Sequence, residues 1–247
     1  RSLKENDIRG LMTFYDRGAE NGDFEGGIRS ALQAILASPH FIFRTEEAPA
    51  DAMVGSSHRI SDADLASRLS FFLWGSTPDQ ELLELASSQQ LSSEGELERQ
   101  ARRMLKDPRA WDALAKRFGS QWLRLQDLEK LSPDALTYPY FDGTLSESMT
   151  RETELLFSHV IEEDLNVMEL LTSDYTFINE RLARHYGFPG VTGSDFQRVT
   201  YPDETRRGIL GHGSILAMTS HADRTSPVLR GKWVLEVLLG TPPPPPP

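Results

Sequence analysis

Helix-start signals recur along this chain and restrict its fold more than its composition does. One kind is a Ser, Thr or Asn followed three residues later by an acid or amide, which together satisfy free backbone N–H groups. The other kind places proline directly after the capping residue, where no N–H is lost. Such dense signals predict a mainly all-α protein, a multi-helix array of about ten helices. The signals are Ser2/Glu5, Ser61/Asp64, Thr77/Gln80, Ser93/Glu96, Thr144/Glu147, Asn166/Glu169, Asp107-Pro108 and Ser226-Pro227.

Apolar residues recur at helical intervals and predict that one side of each helix is buried. One stripe predicts the longest helix, over residues 145–163. Gly240 is placed to close the last helix in a left-handed cap. The stripes are Ile8/Leu11/Met12/Tyr15, Ile28/Ala31/Leu32/Ile35/Leu36, Trp111/Leu114/Phe118/Trp122/Leu125, Leu145/Met149/Leu156/Val160 and Val228/Leu229/Trp233/Leu235/Leu238.

Two short stretches, 175–178 and 196–201, break the helical pattern and predict one small β-hairpin around residues 175–201. Residues 46–58, rich in Ala, Ser and Gly, indicate an exposed linker. We therefore expect four parts. They are an N-terminal two-helix unit (1–45), a central helical domain (59–165), a C-terminal helical module with the hairpin (166–241) and a polyproline linker (242–247) to a missing segment.

Composition excludes several functions. With 26 Lys plus Arg against 37 Asp plus Glu, the net charge of −11 disfavours a nucleic-acid partner. The absence of cysteine excludes disulfides, thiolate metal sites and covalent haem attachment within this chain. No apolar run approaches the ~18 to 20 residues of a transmembrane helix. The first residue is Arg and the last six are Pro, so we expect a segment of a longer protein.

The first candidate site is acidic. Glu152, His159 and Glu163 are spaced to share one face of the long helix, where they can ligate a metal. Dimetal helical bundles, however, use Glu-x-x-His, and the residue three before His159 is Leu156. We therefore predict a solvated acidic face and no metal site.

Two further motifs are weak. Ser220, His221 and Asp223 have the residue types of a hydrolytic triad, but triads are assembled from separated parts of a fold. The glycine-rich stretch 208–214 follows Arg206 and Arg207 but matches no phosphate loop. Close helix packing is the favoured use of its glycines, and hydrogen bonding to a carbonyl is the favoured role of His212.

The loop 219–230 is dense in polar residues and precedes a helix that Ser226-Pro227 caps. Arg224 can bind a carboxylate or propionate, and His221 can act as a ligand or proton donor. Alternatively, Arg224 pairs with Asp223 and holds the loop in shape. The structural alternative is favoured, but both stay open.

Four segments resemble a bacterial family of exported, cytochrome-linked domains of unknown function that is abundant in planctomycetes. The first two of its modules resemble FEGGIRSALQAILASPHFIFR (24–44) and DLASRLSFFLWGSTPD (64–79). Its third resembles DYTFINERLARHYG (174–187) and RTSPVLRGKWVLE (224–236). The resemblance implies a periplasmic or otherwise extracytoplasmic protein. It also implies haem c, bound by flanking segments outside residues 1–247, with cytochrome c domains of the same protein or a redox partner as partners.

The leading hypothesis is a helical scaffold of a multi-domain c-type cytochrome-like protein, supporting haem-based electron transfer or redox chemistry. His212, Met218 and His221 are its candidate axial or distal haem contacts, and Arg224 and Arg230 its candidate propionate partners. No catalytic residue is assigned, and whether the chain is an enzyme stays open.

The alternative is an extracytoplasmic interaction module that binds a polysaccharide or partner protein. Tyr138, Tyr140 and Phe141, on a proline-punctuated loop between helices, are its candidate contact residues.

Overall fold

The structure is a computed structural model that describes residues 5–20, 22–44, 46, 53 and 55–244. These residues form thirteen α-helices, short π-helical and 3-10 segments, and one two-stranded sheet. The predicted all-α class is therefore confirmed. Several helices are single turns, which raises their number above the ten expected.

The chain divides into two compact units. Unit 1 is Arg1–Phe71 with Thr77–Gln100, and unit 2 is Phe72–Ser76 with Ala101–Pro247. Four helices lie in unit 1, namely α1 (Glu5–Gly18), α2 (Phe24–Ala37), α3 (Pro39–Ile42) and α5 (Gln80–Ser87). Two helices cross a boundary between the units, namely α4 (Asp62–Leu73) and α6 (Glu96–Leu105). Unit 2 continues with α7 (Pro108–Ala113), α8 (Ser120–Trp122), α9 (Gly143–Glu162), α10 (Glu169–Thr172), β1 (Tyr175–Ile178), α11 (Glu180–Tyr186), β2 (Gln197–Thr200), α12 (Gly213–Met218) and α13 (Pro227–Trp233).

In unit 1, α1 packs against α2 around a glycine. A Cβ at Gly27 would lie 2.6 Å from Tyr15 Cε2, so only glycine allows this approach. The predicted burial of whole apolar stripes is wrong here, because several stripe residues stay exposed although the two helices pack together. Ile8, Leu32 and Leu36 are 54%, 53% and 55% exposed.

Three predicted helix starts follow the expected capping chemistry. The Ser61 hydroxyl accepts the Asp64 N–H at 3.1 Å, and Asp107 and Ser226 accept N–H groups of the first turns of α7 and α13. At Ser93 the Glu96 N–H instead donates to the backbone carbonyl at 3.2 Å, and the Asn166 side chain accepts from Met168, which precedes α10. The predicted caps Thr77 and Thr144 are wrong. Asp79 and Asp142 cap α5 and α9 instead, since a carboxylate is a stronger acceptor than a hydroxyl. Ser2 lies outside the described residues.

The helix α9 runs through the core of unit 2. At 20 residues it is the longest helix of the described chain, as predicted. Leu145, Met149, Leu156 and Val160 are all buried, which confirms its predicted stripe. Burial of each such side chain contributes about 1.5 to 3 kcal/mol.

The small sheet is antiparallel, with Tyr175 opposite Thr200 and Ile178 opposite Gln197. The predicted hairpin is confirmed. Between its strands, α11 is capped by the Asn179 side chain and ends at Gly187, whose φ of +78° suits glycine. This arrangement fixes where Tyr186, the last residue of α11, enters the core.

The last helix, α13, continues as a π-helical segment, Val234–Leu238. Gly240 follows with φ +62°, which confirms the predicted left-handed residue. Among the described residues, no helix is long and apolar enough to cross a membrane. Most of the predicted linker 46–58, and the last three prolines of the polyproline tract, lie outside the described residues.

Candidate functional site

Unit 2 contains a cleft of about 540 Å³, which we call the ligand cleft. One wall is the loop 131–141 before α9, and the opposite wall is the turn 220–225 after α12. The Asp134 N–H donates to the Ala222 carbonyl at 2.9 Å and joins the two walls. Met149 of α9 and Gly213 of α12 also line the cleft.

Local hydrogen bonds hold each wall in shape. The Asp134 carboxylate accepts the Thr137 hydroxyl at 2.6 Å and the Thr137 N–H at 3.2 Å. These bonds, with the Thr137 hydroxyl first, lower the pKa of Asp134. Across the cleft, the His221 N–H donates to the Arg224 carbonyl at 2.8 Å, and Ser220 bridges to Thr225. Both walls are therefore built from tight turns.

Aromatic rings gather along the wall formed by the loop. Tyr138, Tyr140 and Phe141 all line the cleft, and the Tyr140 ring is 52% exposed. The His185 ring, from the end of α11, lies 5.9 Å from Tyr140 and 5.4 Å from Tyr186. Burial, followed by the charges of Arg206 and Arg181, lowers the pKa of His185. The imidazole at this position therefore favours its neutral form.

Arg206 supplies a cation at the cleft. Its guanidinium lies over the Tyr186 ring, 4.3 Å from the centroid, and donates to the Gly211 carbonyl at 2.6 Å. It forms no ion pair with any carboxylate in the described part of the chain. Lys130, the other lining cation, pairs with Asp127 at 2.7 Å.

A buried carboxyl group lies behind the cleft. Glu152 of α9 is fully buried and accepts the hydroxyls of Thr176 and Tyr186, each at 2.7 Å. The Tyr186 hydroxyl in turn accepts the Gly213 N–H at 2.6 Å. Gly213 is required here, because a Cβ would lie 2.8 Å from that hydroxyl. The network thus connects the core to the cleft lining.

A second set of polar groups lies beside the first. The Thr153 hydroxyl is 2.9 Å from His212 Nδ1 and 2.8 Å from the Ser214 hydroxyl. His212 is fully buried, and its Nε2 has no hydrogen-bond partner among the described residues.

Burial shifts the ionisation of the three core groups. It raises the pKa of Glu152 from 4.5 to about 7, although the Tyr186 and Thr176 hydroxyls oppose the shift. It lowers the pKa of His212 from 6.5 to about 3, with a smaller effect from Arg206. Burial and the adjacent Glu152 raise the pKa of Tyr186 well above 10.0. The core therefore favours the neutral form of each group.

Three segments match protein families, each described as a protein of unknown function. They are PSD5 (DUF1595) at residues 1–46, PSD4 (DUF1592) at residues 60–188 and PSCyt3 (DUF1588) at residues 206–247. The PSD4 match spans more than half of the 247 residues. The chain belongs to the PSD4 family. No curated protein and no solved structure matches it.

The three matches of this PSD4 member are consistent with the expected resemblance to planctomycete cytochrome c-associated domains. One detail differs. Residues 174–187, which we expected in the third module, lie inside the PSD4 match. That segment supplies β1 and α11, and thus His185 and Tyr186.

The structure does not gather the five candidate haem contacts of this PSD4 chain at one place. His212 is in the core, and Met218 packs against the apolar core clusters. His221 lines the ligand cleft, and Arg224 is exposed on the same turn, 3.8 Å from Asp223. Arg230 is partly buried, with its Nε 3.4 Å from the Thr219 hydroxyl. The five residues thus lie in different environments, and their role as haem contacts stays a prediction.

The predicted solvated acidic face is wrong for Glu152, which points into the core, because it continues the apolar side of α9 between Met149 and Leu156. His159 contacts the rings of Tyr175 and Phe177 rather than a carboxylate. Within the described residues, no group of three potential metal ligands is present.

The two weak motifs have structural explanations. The Ser220 hydroxyl donates to the Leu216 carbonyl at 2.8 Å instead of to His221. Close packing by the glycines is confirmed: a Cβ at Gly208 would lie 2.4 Å from the Leu170 carbonyl oxygen. His212 is bound by the Thr153 hydroxyl, and the expected bond to a carbonyl is wrong.

Sequence reasoning missed the roles of Glu152, Tyr186 and Arg206. A signal for Glu152 existed, since an acid three residues after Met149 and four before Leu156 must share their side of the helix. The partners of Arg206 and Tyr186 are set by tertiary contacts, which leave no local pattern.

Proposed function

We propose that this chain is the helical, non-haem part of an extracytoplasmic cytochrome-linked protein and that it binds a small organic molecule in the ligand cleft. The cleft is the observation that supports binding. Its volume of about 540 Å³ falls in the range of roughly 300 to 1,000 Å³ that is typical of small-molecule pockets. An apolar lining with a few convergent polar groups is also typical of such sites.

The two kinds of lining residue have complementary roles in this proposal. Tyr140 offers an exposed ring face on which a flat molecule can stack, and Met149 and Leu216 supply apolar surface. His185 and Arg206 supply polar groups that orient the ligand. Because short hydrogen bonds hold both walls, the site is formed before the ligand arrives.

The test is to block the cleft. Ala222 is exposed and lines it, so Ala222→Trp places an indole there while keeping the carbonyl that binds the Asp134 N–H. The matched control is Ala135→Trp. Ala135 is exposed on the loop 131–141, and it does not line the ligand cleft. The probes are 2-naphthoate and 2-naphthamide. Their binding is measured by saturation-transfer NMR and titration calorimetry.

Binding of at least one probe to the wild type and to Ala135→Trp, with loss in Ala222→Trp, is expected. Absence of binding of both probes to the folded wild type would overturn the proposed cleft function. Equal binding to Ala222→Trp would place the probe elsewhere and would also overturn it.

The cytochrome link is supported by the PSCyt3 match over residues 206–247, which includes the turn 220–225. The chain has no cysteine for covalent haem attachment, so haem c would be bound by flanking segments. His221 and Arg224 are both exposed on that turn, so a neighbouring haem domain could contact them.

The test uses a longer protein that includes such flanking segments. A Soret band in its absorption spectrum is expected, and its absence would contradict the link. Replacement of His221 and Arg224 by Ala tests the contacts, because an unchanged spectrum and reduction potential in both variants would remove them.

A carbohydrate is the second candidate ligand, since Tyr138, Tyr140 and Phe141 lie along one wall and sugar rings also stack on aromatic faces. A glycan array with the wild type and Ala222→Trp separates the two candidates. A signal that depends on the open cleft, without naphthyl binding, would assign the cleft to carbohydrate.

A further inference from the structure

The lining of the ligand cleft contains no Asp or Glu within the described chain. This is unexpected in a protein with 37 acidic and 26 basic residues. The cleft instead contains Lys130, Arg206 and the imidazoles of His185 and His221. A site without a carboxylate lacks the usual partner for a cationic ligand.

The two cationic side chains of the cleft differ in whether a carboxylate is paired with their charge. Lys130 Nζ is 2.7 Å from the Asp127 carboxylate, so its charge already has a partner. Among the described residues, Arg206 hydrogen-bonds to a carbonyl and stacks on an aromatic ring, and neither of them carries a formal charge. The nearby carboxyl of Glu152 is engaged by the Tyr186 and Thr176 hydroxyls. The charge of Arg206 lowers the pKa of Glu152, so the two groups interact electrostatically, but they form no ion pair in the described chain. Arg206 therefore keeps N–H groups that can bind a ligand.

The contacts of Arg206 also restrain its orientation. Stacking on Tyr186 and the bond to Gly211 restrict the guanidinium plane. Within the part of the chain that the structure describes, one of its five N–H groups forms a hydrogen bond. A planar guanidinium with free donors binds a carboxylate through two parallel hydrogen bonds.

We infer, on the basis of the proposed binding function, that the ligand is an organic anion with an aromatic body and a carboxylate. The body stacks along Tyr140 and the neighbouring aromatic wall, and the carboxylate pairs with Arg206.

His185 provides an independent readout, because its ring lines the same cleft as Arg206. Four groups influence this imidazole: the rings of Tyr140 and Tyr186 and the charges of Arg206 and Arg181. A carboxylate bound to Arg206 offsets one of those charges, so the pKa of His185 rises when the ligand binds. A neutral ligand leaves that charge in place and produces no such rise.

The experiment compares 2-naphthoate with 2-naphthamide, which differ in charge but hardly in shape. Wild-type protein is expected to bind the carboxylate about tenfold more tightly, which corresponds to about 1.4 kcal/mol, because hydrogen bonds to a charged group are stronger than those to a neutral one. Arg206→Gln should abolish this preference, and Arg206→Lys should retain only part of it. The matched control is Lys130→Gln, which removes a lining cation that is already paired and should change the preference less than about twofold.

The outcomes separate the two proposals. Equal binding of both probes to the wild type would overturn the inference and leave the binding function standing, whereas absence of any binding would overturn both. A preference that persists in folded Arg206→Gln would also overturn the inference. If that variant does not fold, wild-type selectivity and the NMR titration of His185 still decide: an unchanged His185 pKa with bound naphthoate contradicts the proposed pairing.

Discussion

The loop 131–141 separates two clefts that have a common wall and opposite charge. The second cleft, of about 440 Å³, shares Leu131, Pro133 and Tyr138 with the ligand cleft, and we call it the acidic cleft. Its charged lining residues are Glu129, Asp142 and Glu147, without Lys or Arg in the described lining. The loop thus gives both clefts part of their shape, while residues outside the loop give each cleft its charge.

The charges of the two clefts differ in how they are used. Asp142 caps α9 by accepting the Leu145 N–H at 2.8 Å, and it pairs with Arg181 at 3.2 Å. The Leu145 N–H is the main cause of its lowered pKa. The charge of Asp142 thus has a role in the fold, whereas Arg206 forms no ion pair within the described chain. The difference teaches that the role of a charged residue has to be judged from its partners and not from its charge alone.

The largest expected effect comes from the hydroxyl beneath the ligand cleft. Tyr186→Phe deprives Glu152 and the Gly213 N–H of a buried partner. Two such penalties should lower the free energy of unfolding by about 4 kcal/mol, measured by urea denaturation. The control Tyr140→Phe removes an exposed hydroxyl of the same cleft and should stay within about 0.5 kcal/mol of the wild type. Similar effects of the two changes would show that the network does not support the cleft.

The pH dependence of stability should be next in size. Because the pKa of Glu152 is raised to about 7, the folded state binds more protons than the unfolded state between pH 4.5 and 7. Stability therefore falls as the pH rises through this window. Relative to Glu152→Gln, the wild type should lose roughly 3 kcal/mol from pH 4.5 to 7. A constant difference between the two proteins would contradict a buried titrating carboxyl.

The titration of His212 gives the pH dependence of stability the opposite sign. Its pKa falls from 6.5 to about 3 in the folded state, so the unfolded state binds more protons between these values and stability falls as the pH decreases. Relative to His212→Gln, the wild type should lose roughly 2 kcal/mol from pH 6.5 to 4.5. The two dependences offset each other in the wild type, and denaturation of both variants across pH 4.5 to 7 would reveal them.

The smallest effect is expected in the acidic cleft. Asp142→Asn keeps a good helix cap but removes the charge paired with Arg181, so the loss of stability should be below about 1 kcal/mol. The affinity of the ligand cleft for 2-naphthoate should be unchanged in calorimetry. A substantial change in that affinity would mean that the two clefts are not independent.

Much of the fold was predictable because its signals are local. The strand Tyr175–Ile178 is bounded by turn residues, and the stripe of α9 repeats over 20 residues. The caps were less predictable, since Thr144 and Asp142 compete for the same helix start and only geometry decides between them. The domain boundaries and haem contacts stay predictions.

The candidate site was only partly predictable. The aromatic wall came from a loop segment that the sequence singled out, Tyr138 to Phe141. The buried hydrogen-bond network was not predictable, because its partners are far apart in sequence. Tyr186 lies 34 residues from Glu152, and His212 lies 59 residues from Thr153. An acid on a helix is normally solvated, so composition and charge patterning favoured the wrong environment for Glu152.

The hydrogen bond from Asp134 to Ala222 makes one backbone amide a direct monitor of how the cleft opens. Deuterium replaces that amide hydrogen only while the loop and the turn are apart, so its exchange rate measures the frequency of separation. A molecule that spans both sides would slow this exchange, even if it touched neither Asp134 nor Ala222.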